Sequence, residues 1–380
     1  MAPCVLVVIG TRPEAIKMAP VVAGLAAYSP QLETRIVLTG QHTSLVDQAL
    51  KVLELTPDYD LGIMRDGQSL YDVMHGALDG LRDVVRELAP DIVLVQGDTA
   101  SVFAGALVGF FERVRVGHVE AGLRSHDKWA PFPEEVLRRM TDTIADYCFA
   151  PTQWAASELL AENVPPDRIY VTGNPVVDAL QSIGSLERPI RCDALRNVVA
   201  SDASRLVLLT AHRRESFGAP LGEVFGAVRG LANRFEDVQV LYPVHPNPNV
   251  RTPAEEALGG HPRIHLTKPL DYLDLVAALR HASLVLTDSG GIQEEAPTFG
   301  TPVLVLREVT ERPEGVDAGV AELVGTDGPL ILERGAALLE GGPREAISNP
   351  YGDGRAGERI ADIVAADLLG RTRTTEDWSP

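Results

Sequence analysis

Cysteine is scarce in this chain: three residues in 380, at Cys4, Cys148 and Cys192. An odd, widely spaced set provides no disulfide framework and no zinc spacing. Cys4 and Cys148 sit in apolar runs and read as buried thiols. Basic charge is also short. The chain has 34 Lys and Arg against 53 Asp and Glu, a net charge of −19, which argues against a general nucleic-acid binder and against a protein attracted to anionic membranes. No apolar run reaches the roughly 18–20 residues that span a bilayer. The opening stretch, Met1 to Ile9, has no basic leader and too short an apolar run for a signal peptide. A cytoplasmic protein is expected. A GxGxxG fingerprint is missing after the first apolar strand, which weighs against a bound nicotinamide cofactor. No metal-like spacing surrounds His118 or His245, so both read as structural rather than as metal ligands.

What is present is a steady alternation of β and α. Apolar content of 45% over 380 residues supports large cores and about two domains. Strands are expected at Val5–Ile9, Thr34–Thr39, Ile92–Val95, Val114–Gly117, Tyr147–Ala150 and Ile169–Thr172. Helices lie between them, the clearest being Leu70–Leu88, where Leu70, Val73, Met74, Ala77, Leu78, Leu81, Val84 and Val85 recur at helical spacing. The second half restarts the pattern, with strands at Leu206–Thr210, Val238–Tyr242, Ile264–Leu266, Leu284–Thr287, Pro302–Leu306 and Glu322–Val324, and a last helix over about Ala356–Leu369. The fold class is α/β: two facing Rossmann-like domains with parallel sheets. Boundaries are expected at 1–173, 174–355 and 356–370, the last segment being a helix that crosses back to the first domain.

One stretch carries the most chemistry. After the strand Leu284–Thr287 come Asp288-Ser289-Gly290-Gly291, a tight turn, and then a helix expected over Ile292–Phe299 that Gly300 stops. Strand, glycine turn and helix N-terminus form a phosphate cradle: free N–H groups and the positive helix end face the anion. Ser289 adds a hydroxyl. One turn on, Glu294 and Glu295 are placed to accept ribose hydroxyls. A charged loop, Arg307 to Glu314, follows at the carboxyl end of the next strand, where open α/β sheets place ligands.

Other polar residues also gather at strand carboxyl ends: Gly10 with Arg12 and Lys17, Gln41 and His42, Asp98, His118 and Glu120, and in the second half His212-Arg213-Arg214 and His245. The first half thus offers three carboxylate positions, Asp98, Glu120 and Glu134 or Glu135. Acids on opposite sides of a sugar carbon can remove and return a proton. His212 and Arg312, with the helix end at Ser289, can stabilise a leaving diphosphate. Each carboxylate has a plain structural alternative. Asp98 can cap the following helix, Glu120 can pair with Arg124, and Glu134 and Glu135 can be first-turn acids favoured by the helix dipole.

Gly10-Thr-Arg-Pro-Glu-Ala-Ile-Lys-Met-Ala-Pro20, Gln96-Gly-Asp-Thr99, His118-Val-Glu-Ala-Gly-Leu-Arg124, Pro131-Phe-Pro-Glu-Glu135, Thr210-Ala-His-Arg-Arg-Glu215 and the Asp288–Glu314 stretch together closely resemble the non-hydrolysing bacterial UDP-N-acetylglucosamine 2-epimerases. The match runs over nearly the whole chain, to Asn349-Pro-Tyr-Gly-Asp-Gly354. The resemblance implies a glycosyltransferase-B-like fold, a homodimer, no metal and no tightly bound cofactor, and a role in cell-surface polysaccharide biosynthesis. It implies elimination of UDP across carbons 1 and 2 of UDP-N-acetylglucosamine to a 2-acetamidoglucal, followed by re-addition. By motif position, Asp98, Glu120 and Glu134 are the acid/base carboxylates and His212 acts at the leaving diphosphate. Arg12, Lys17, Leu270, Leu275, Ser289, Gly290, Gly291, Glu295 and Arg312 bind UDP, and Gln41, His42, Arg213 and His245 line a second-substrate site. Two departures stand out. Leu270 and Leu275 occupy places where a Gln and a Phe are common around the uracil. Ser44 and Gly67 replace longer polar residues near the second-substrate site, so activation by a second substrate molecule is expected to be weak or absent; a strongly sigmoidal rate curve would count against that. The same departures leave open another nucleotide sugar or a hydrolysing outcome. A glycosyltransferase of the same fold shares the diphosphate turn but needs an acceptor cleft and not three carboxylates; a nucleotide-sugar-binding protein predicts that Asp98→Asn leaves binding intact and that there is no reaction to lose.

Overall fold

The computed structural model describes residues 2–40, 44–65, 67–186, 188–201, 203–213, 216–341 and 348–380. The chain divides into two compact units, 1–179 with 351–380, and 180–350. The first holds a seven-stranded sheet in the order β3-β2-β1-β4-β5-β6-β7. Its strands are β1 (Cys4–Ile9), β2 (Glu33–Leu38), β3 (Tyr59–Asp60), β4 (Ile92–Gln96), β5 (Arg115–Val119), β6 (Tyr147–Ala150) and β7 (Ile169–Val171). The second holds a six-stranded sheet in the order β10-β9-β8-β11-β12-β13, from β8 (Arg205–Thr210), β9 (Val238–Pro243), β10 (Ile264–Thr267), β11 (Ala282–Thr287), β12 (Val303–Val305) and β13 (Ala321–Leu323). Every strand pairing is parallel.

A parallel sheet covered on both faces needs continuous apolar strands, and β1 (CVLVVI) is buried at all six positions. Both sheets double back: order 3-2-1 on one side and 4-5-6 on the other. That reversal leaves a crevice at the carboxyl ends of β1 and β4, and again of β8 and β11, where no helix crossover covers the sheet edge. Arg12 and Asp98 of the first unit, and His212 and Ser289 of the second, follow these strand ends.

Helix Leu70–Leu88 occupies its expected span. Ser69 and Asp72 close a capping box at its start, and Ala89 ends it in the left-handed region just before Pro90. The C-terminal helix Ala356–Leu368 belongs to the first unit. It crosses helix Arg12–Ala26 glycine to glycine. A Cβ on Gly357 would lie 2.4 Å from the Pro20 carbonyl oxygen, and one on Gly24 would lie 2.8 Å from the Gly357 oxygen. The tail beyond is tied down. Buried Asp362 accepts from the backbone N–H of Thr374 and Thr375, both at 2.7 Å, and Trp378 is buried in the core of that unit. Burial pushes the Asp362 carboxyl up, but these donors outweigh it and hold it well below the carboxylate range.

Several elements differ from the sequence expectation. The stretch after Gly291 is not one helix from Ile292. A six-residue α-helix begins earlier, at Gly290, and a 3₁₀ turn Ala296–Phe299 follows before Gly300 at φ +72°. β5 runs on to Val119, so His118 lies inside the strand. The two-residue edge strand β3 and helices Ser44–Val52, Pro248–Leu258 and Gly328–Glu340 had no counterpart in the sequence reading. Cys4 and Cys148 are buried and Cys192 partly so, all as free thiols. Among the described residues, no helix is long and apolar enough to cross a membrane.

Candidate active site

In the first unit the crevice begins with Gly10, at the end of β1. A Cβ there would lie 2.6 Å from Ser101 Oγ, so only glycine lets the β1 loop close onto the start of helix Ala100–Phe111. Arg12 opens helix Arg12–Ala26 from that loop. Asp98 follows β4, and the helix cap is its neighbour Thr99, whose Oγ1 accepts from Val102 N. The capping alternative for Asp98 therefore falls. Its side chain instead faces Arg138, with Nη2 2.5 Å from Oδ2, and is partly open to solvent. Arg138 is buried and also lies 3.4 Å from Glu135.

Glu120 follows β5 with φ +69°, a left-handed conformation that is costly for a residue with a Cβ. The turn aims its carboxylate back under the sheet edge. Lys17 Nζ lies 2.5 Å from Oε1, Asn174 Nδ2 donates to Oε1 at 3.4 Å, and Gln96 donates to Oε2. Arg124 is not its partner. Arg124 is buried against Asp142 at 2.7 Å and Glu162 at 2.9 Å. His118, also buried, is braced between Asp142 Oδ1 at 2.6 Å and the Gly97 carbonyl at 2.7 Å, a structural role. Burial pushes the Asp142 carboxyl up, but His118 and Arg124 outweigh it and hold it below its usual value.

Glu134 and Glu135 both stand in the first turn of helix Glu134–Ile144, where the dipole favours them. Their fates differ. Glu135 is fully buried and accepts from the backbone of Ser125 and His126, at 2.9 and 3.2 Å, so it braces the loop. Glu134 is only half buried.

In the second unit, Asp288 follows β11 and is buried. Its Oδ2 accepts from the backbone N–H of His212 at 2.6 Å and of Arg213 at 2.8 Å. Oδ1 lies 3.3 Å from His212 Nδ1. The half-exposed His212 ring stacks on His245, centroids 5.6 Å apart and planes 9° from parallel. Arg213 Nε donates to the Asp288 carbonyl at 3.0 Å. A buried carboxylate beside Nδ1 and an aromatic face on the ring orient the imidazole, leaving Nε2 for a ligand. Asp288→Asn keeps an acceptor for the two backbone donors and removes the anion beside Nδ1. It is expected to lower kcat roughly 10- to 100-fold, the equivalent of about 1.5–3 kcal/mol for a hydrogen bond to a charged group. Steady-state kinetics at an unchanged melting temperature check this.

Ser289 precedes the short helix, and Gly290 packs on Arg312: a Cβ at Gly290 would touch the guanidinium at 3.0 Å. Glu295 Oε1 lies beside Gly291, 3.9 Å from where a Cβ would stand. Arg312 donates from Nε to Glu294 at 2.8 Å, and Glu311 binds Arg307 at 2.7 Å. Burial pushes the Glu311 carboxyl up, but Arg312 and Arg307 outweigh it and bring it to about 2. Leu270 and Leu275 are half-buried against the core under β8 and β11. Gln41, His42 and Arg214 lie outside the described residues, as does the Ser44 side chain; Gly67 has φ +74°.

Sequence reasoning missed Arg138, Asn174 and Asp288 as partners of the candidate residues. Two left a signal: Arg138 is one helical turn from Glu134, at i+4, and Asp288 opens the glycine turn already singled out.

The family model described as UDP-N-acetylglucosamine 2-epimerase matches residues 26–365. The UDP-N-acetylglucosamine 2-epimerase of Bacillus subtilis (strain 168) is 47% identical over 362 residues, covering 94% of each chain. Two solved structures are similar over almost the full length. The S. aureus MnaA–UDP co-structure has a TM-score of 0.88 at 42% identity, covering 99% of this chain and 100% of that one. The UDP-GlcNAc 2-epimerase of Neisseria meningitidis bound to UDP-GlcNAc has a TM-score of 0.85 at 39% identity, covering 97% and 100%.

Proposed function

The chain belongs to the UDP-N-acetylglucosamine 2-epimerase family, and from that premise we propose that it interconverts UDP-N-acetylglucosamine and UDP-N-acetylmannosamine without hydrolysis. A carboxylate of the first unit removes the proton from carbon 2. The electron pair forms the C1=C2 bond, and the C1–O bond breaks with its pair leaving on the β-phosphate oxygen. The products held in the protein are UDP and a 2-acetamidoglucal. The β-phosphate oxygen then attacks carbon 1 while a carboxylic acid returns a proton to the other face of carbon 2.

The observation that carries this reading is a pair of carboxylates on adjacent strand ends, each held by its own cation. Asp98 is bound by Arg138 and Glu120 by Lys17. Two acids fixed separately suit a reaction that needs a base on one face and an acid on the other. Glu134, half-buried one turn from Arg138, is the third candidate. In the second unit His212, oriented by Asp288, meets the charge that develops on the leaving diphosphate. Ser289, Gly290, Gly291 and Arg312 hold the phosphates, Glu295 the ribose, and Leu270 and Leu275 the uracil. Arg12 and Lys17, of the first unit, are the remaining UDP-binding candidates. The reading also carries a homodimer acting in the cytoplasm to supply polysaccharide precursors; a single monomeric species in sedimentation would remove the dimer from it.

The test is proton NMR of the purified protein with UDP-N-acetylglucosamine in deuterated water, with no acceptor. The expected outcome is a manno-configured nucleotide sugar with deuterium at carbon 2. Free UDP accumulating with N-acetylmannosamine would instead mark a hydrolysing enzyme. No reaction until an acceptor is added would mark a glycosyltransferase.

A further inference from the structure

One buried carboxyl in the first unit has no part in this chemistry. Glu14 stands in the first turn of helix Arg12–Ala26 and is 2% exposed. Its Oε2 accepts from Gly10 N at 2.6 Å. Its Oε1 accepts from Thr11 Oγ1 at 2.8 Å and from Thr99 Oγ1 at 3.0 Å. Gly10 and Thr11 lead out of β1 into Arg12. Thr99 is joined directly to Asp98 and caps helix Ala100–Phe111. One carboxyl therefore ties together the two loops that flank the crevice at the reversal of the sheet. With both oxygens engaged and almost no surface, it has nothing left to offer a substrate.

We propose that Glu14 is a positioning residue, which sets the Asp98 loop against the Arg12 loop through Thr99 and Gly10 and so holds Asp98 where its proton transfer requires. The inference rests on the epimerase reading above. All three contacts use the carboxylate as acceptor. The Gly10 N–H is fixed by the backbone and cannot turn away, so a proton arriving on the carboxyl sits on Oε1 and displaces a threonine hydroxyl. Thr99 is the one whose release frees the Asp98 loop.

The same geometry makes the tie sensitive to neutral pH. Burial pushes the Glu14 carboxyl up to about 7, against the three donors, and the Asp98 charge adds to the rise. The other charged groups nearby are committed among the described residues: Arg138, from helix Glu134–Ile144, to Asp98, and Lys17, on Glu14's own helix, to Glu120 after β5. Arg12 opens that helix. β1 and helix Ala100–Phe111 bring no charged side chain.

Two measurements test this. The first is kinetic. Wild-type kcat is expected to fall as pH drops through about 7. Glu14→Gln is expected to lose roughly 10- to 100-fold in kcat, the scale set by small misplacement of a reacting group. Its KM should stay within about 2-fold, and the bend near 7 should vanish. Thr99→Val, which cuts the same tie from the other end, is expected to behave likewise. A Glu14→Gln profile that overlays wild type, or one that keeps the bend and only lowers the melting temperature, overturns the proposal. The second needs no substrate. Carbon-13 NMR of the Glu14 carboxyl, identified by its loss in Glu14→Gln, should titrate near 7 together with the Thr99 and Asp98 amide signals. Amides that ignore the titration also overturn the proposal. If wild type fails to epimerise, the function reading falls, and this titration still decides the role of Glu14.

Discussion

Asp98→Asn is expected to lower kcat for epimerisation by about 10²- to 10⁴-fold, the usual worth of a positioned acid or base, and to leave UDP binding nearly unchanged. The asymmetry follows from where the residue sits. Asp98 belongs to the first unit, whereas the phosphate turn and Glu295 belong to the second. Asparagine has the same shape and still offers Arg138 an oxygen. Arg138 also keeps Glu135, 3.4 Å away, so its buried guanidinium is not stranded. The loss is therefore in proton transfer and not in folding. Three readouts separate these: melting temperature, UDP affinity by calorimetry, and deuterium entry at carbon 2 in both directions. Epimerisation should fall in both directions, whereas deuterium can still enter the epimer whose carbon-2 proton the surviving carboxylate removes, because one carboxylate cannot serve both faces of the carbon. Activity within about 3-fold of wild type would remove Asp98 from the reaction. A parallel fall in UDP affinity would make it a binding residue instead.

The fold was legible because a parallel sheet writes itself plainly: most long strands, from Val5–Ile9 to Leu284–Thr287, are apolar runs closed by glycine or a polar cluster, β2 with its Glu33-Thr34-Arg35 start being an exception. What escaped notice lacked that signal. β3 is two residues long, Tyr59–Asp60, at the sheet edge. Helix Pro248–Leu258 begins with proline and carries Pro253 inside, so its pattern reads as turn. The early start of the helix at Gly290 was masked by the two glycines, which favour loops in isolation. Among the site residues, those on strand ends were visible because Gly10-Thr-Arg-Pro or Gln-Gly-Asp-Thr makes little sense as packing. Their partners were not. Asp98 to Arg138, Glu120 to Asn174 and His212 to Asp288 are 40, 54 and 76 residues apart, and only the sheet order brings each pair together. The reading of Glu120 against Arg124 failed for the same reason. Four residues is a helical spacing, but the chain there is a turn at φ +69°, and the two side chains part.

Arg124→Met is expected to cost about 3–5 kcal/mol, the penalty for stranding one member of a buried ion pair. Arg124 is 1% exposed and Asp142 2%, so neither can turn to water when its partner goes. Asp142 would keep His118 at 2.6 Å and the Gly122 N–H at 3.3 Å, but it would lose the Arg124 guanidinium at 2.7 Å without losing any of its burial. Glu162 is more exposed and can hydrate. In scanning calorimetry the transition of the first unit should fall by roughly 10 °C, at about 2–4 °C per kcal/mol for a body of this size. Arg124→Lys should recover part of this, because it restores charge but not the fork that reaches Asp142 and Glu162 together. The decisive variant is the double, Arg124→Met with Asp142→Asn. If the penalty is an unpaired buried charge, neutralising the survivor should raise the melting temperature above that of Arg124→Met alone, although it removes another polar contact. A double variant that melts lower still would show that the guanidinium acts by packing. Because Asp142 also binds His118 and the Gly122 amide, each two residues from Glu120 in the chain, the single variant should lose turnover some degrees below its melting point, and the double should regain it.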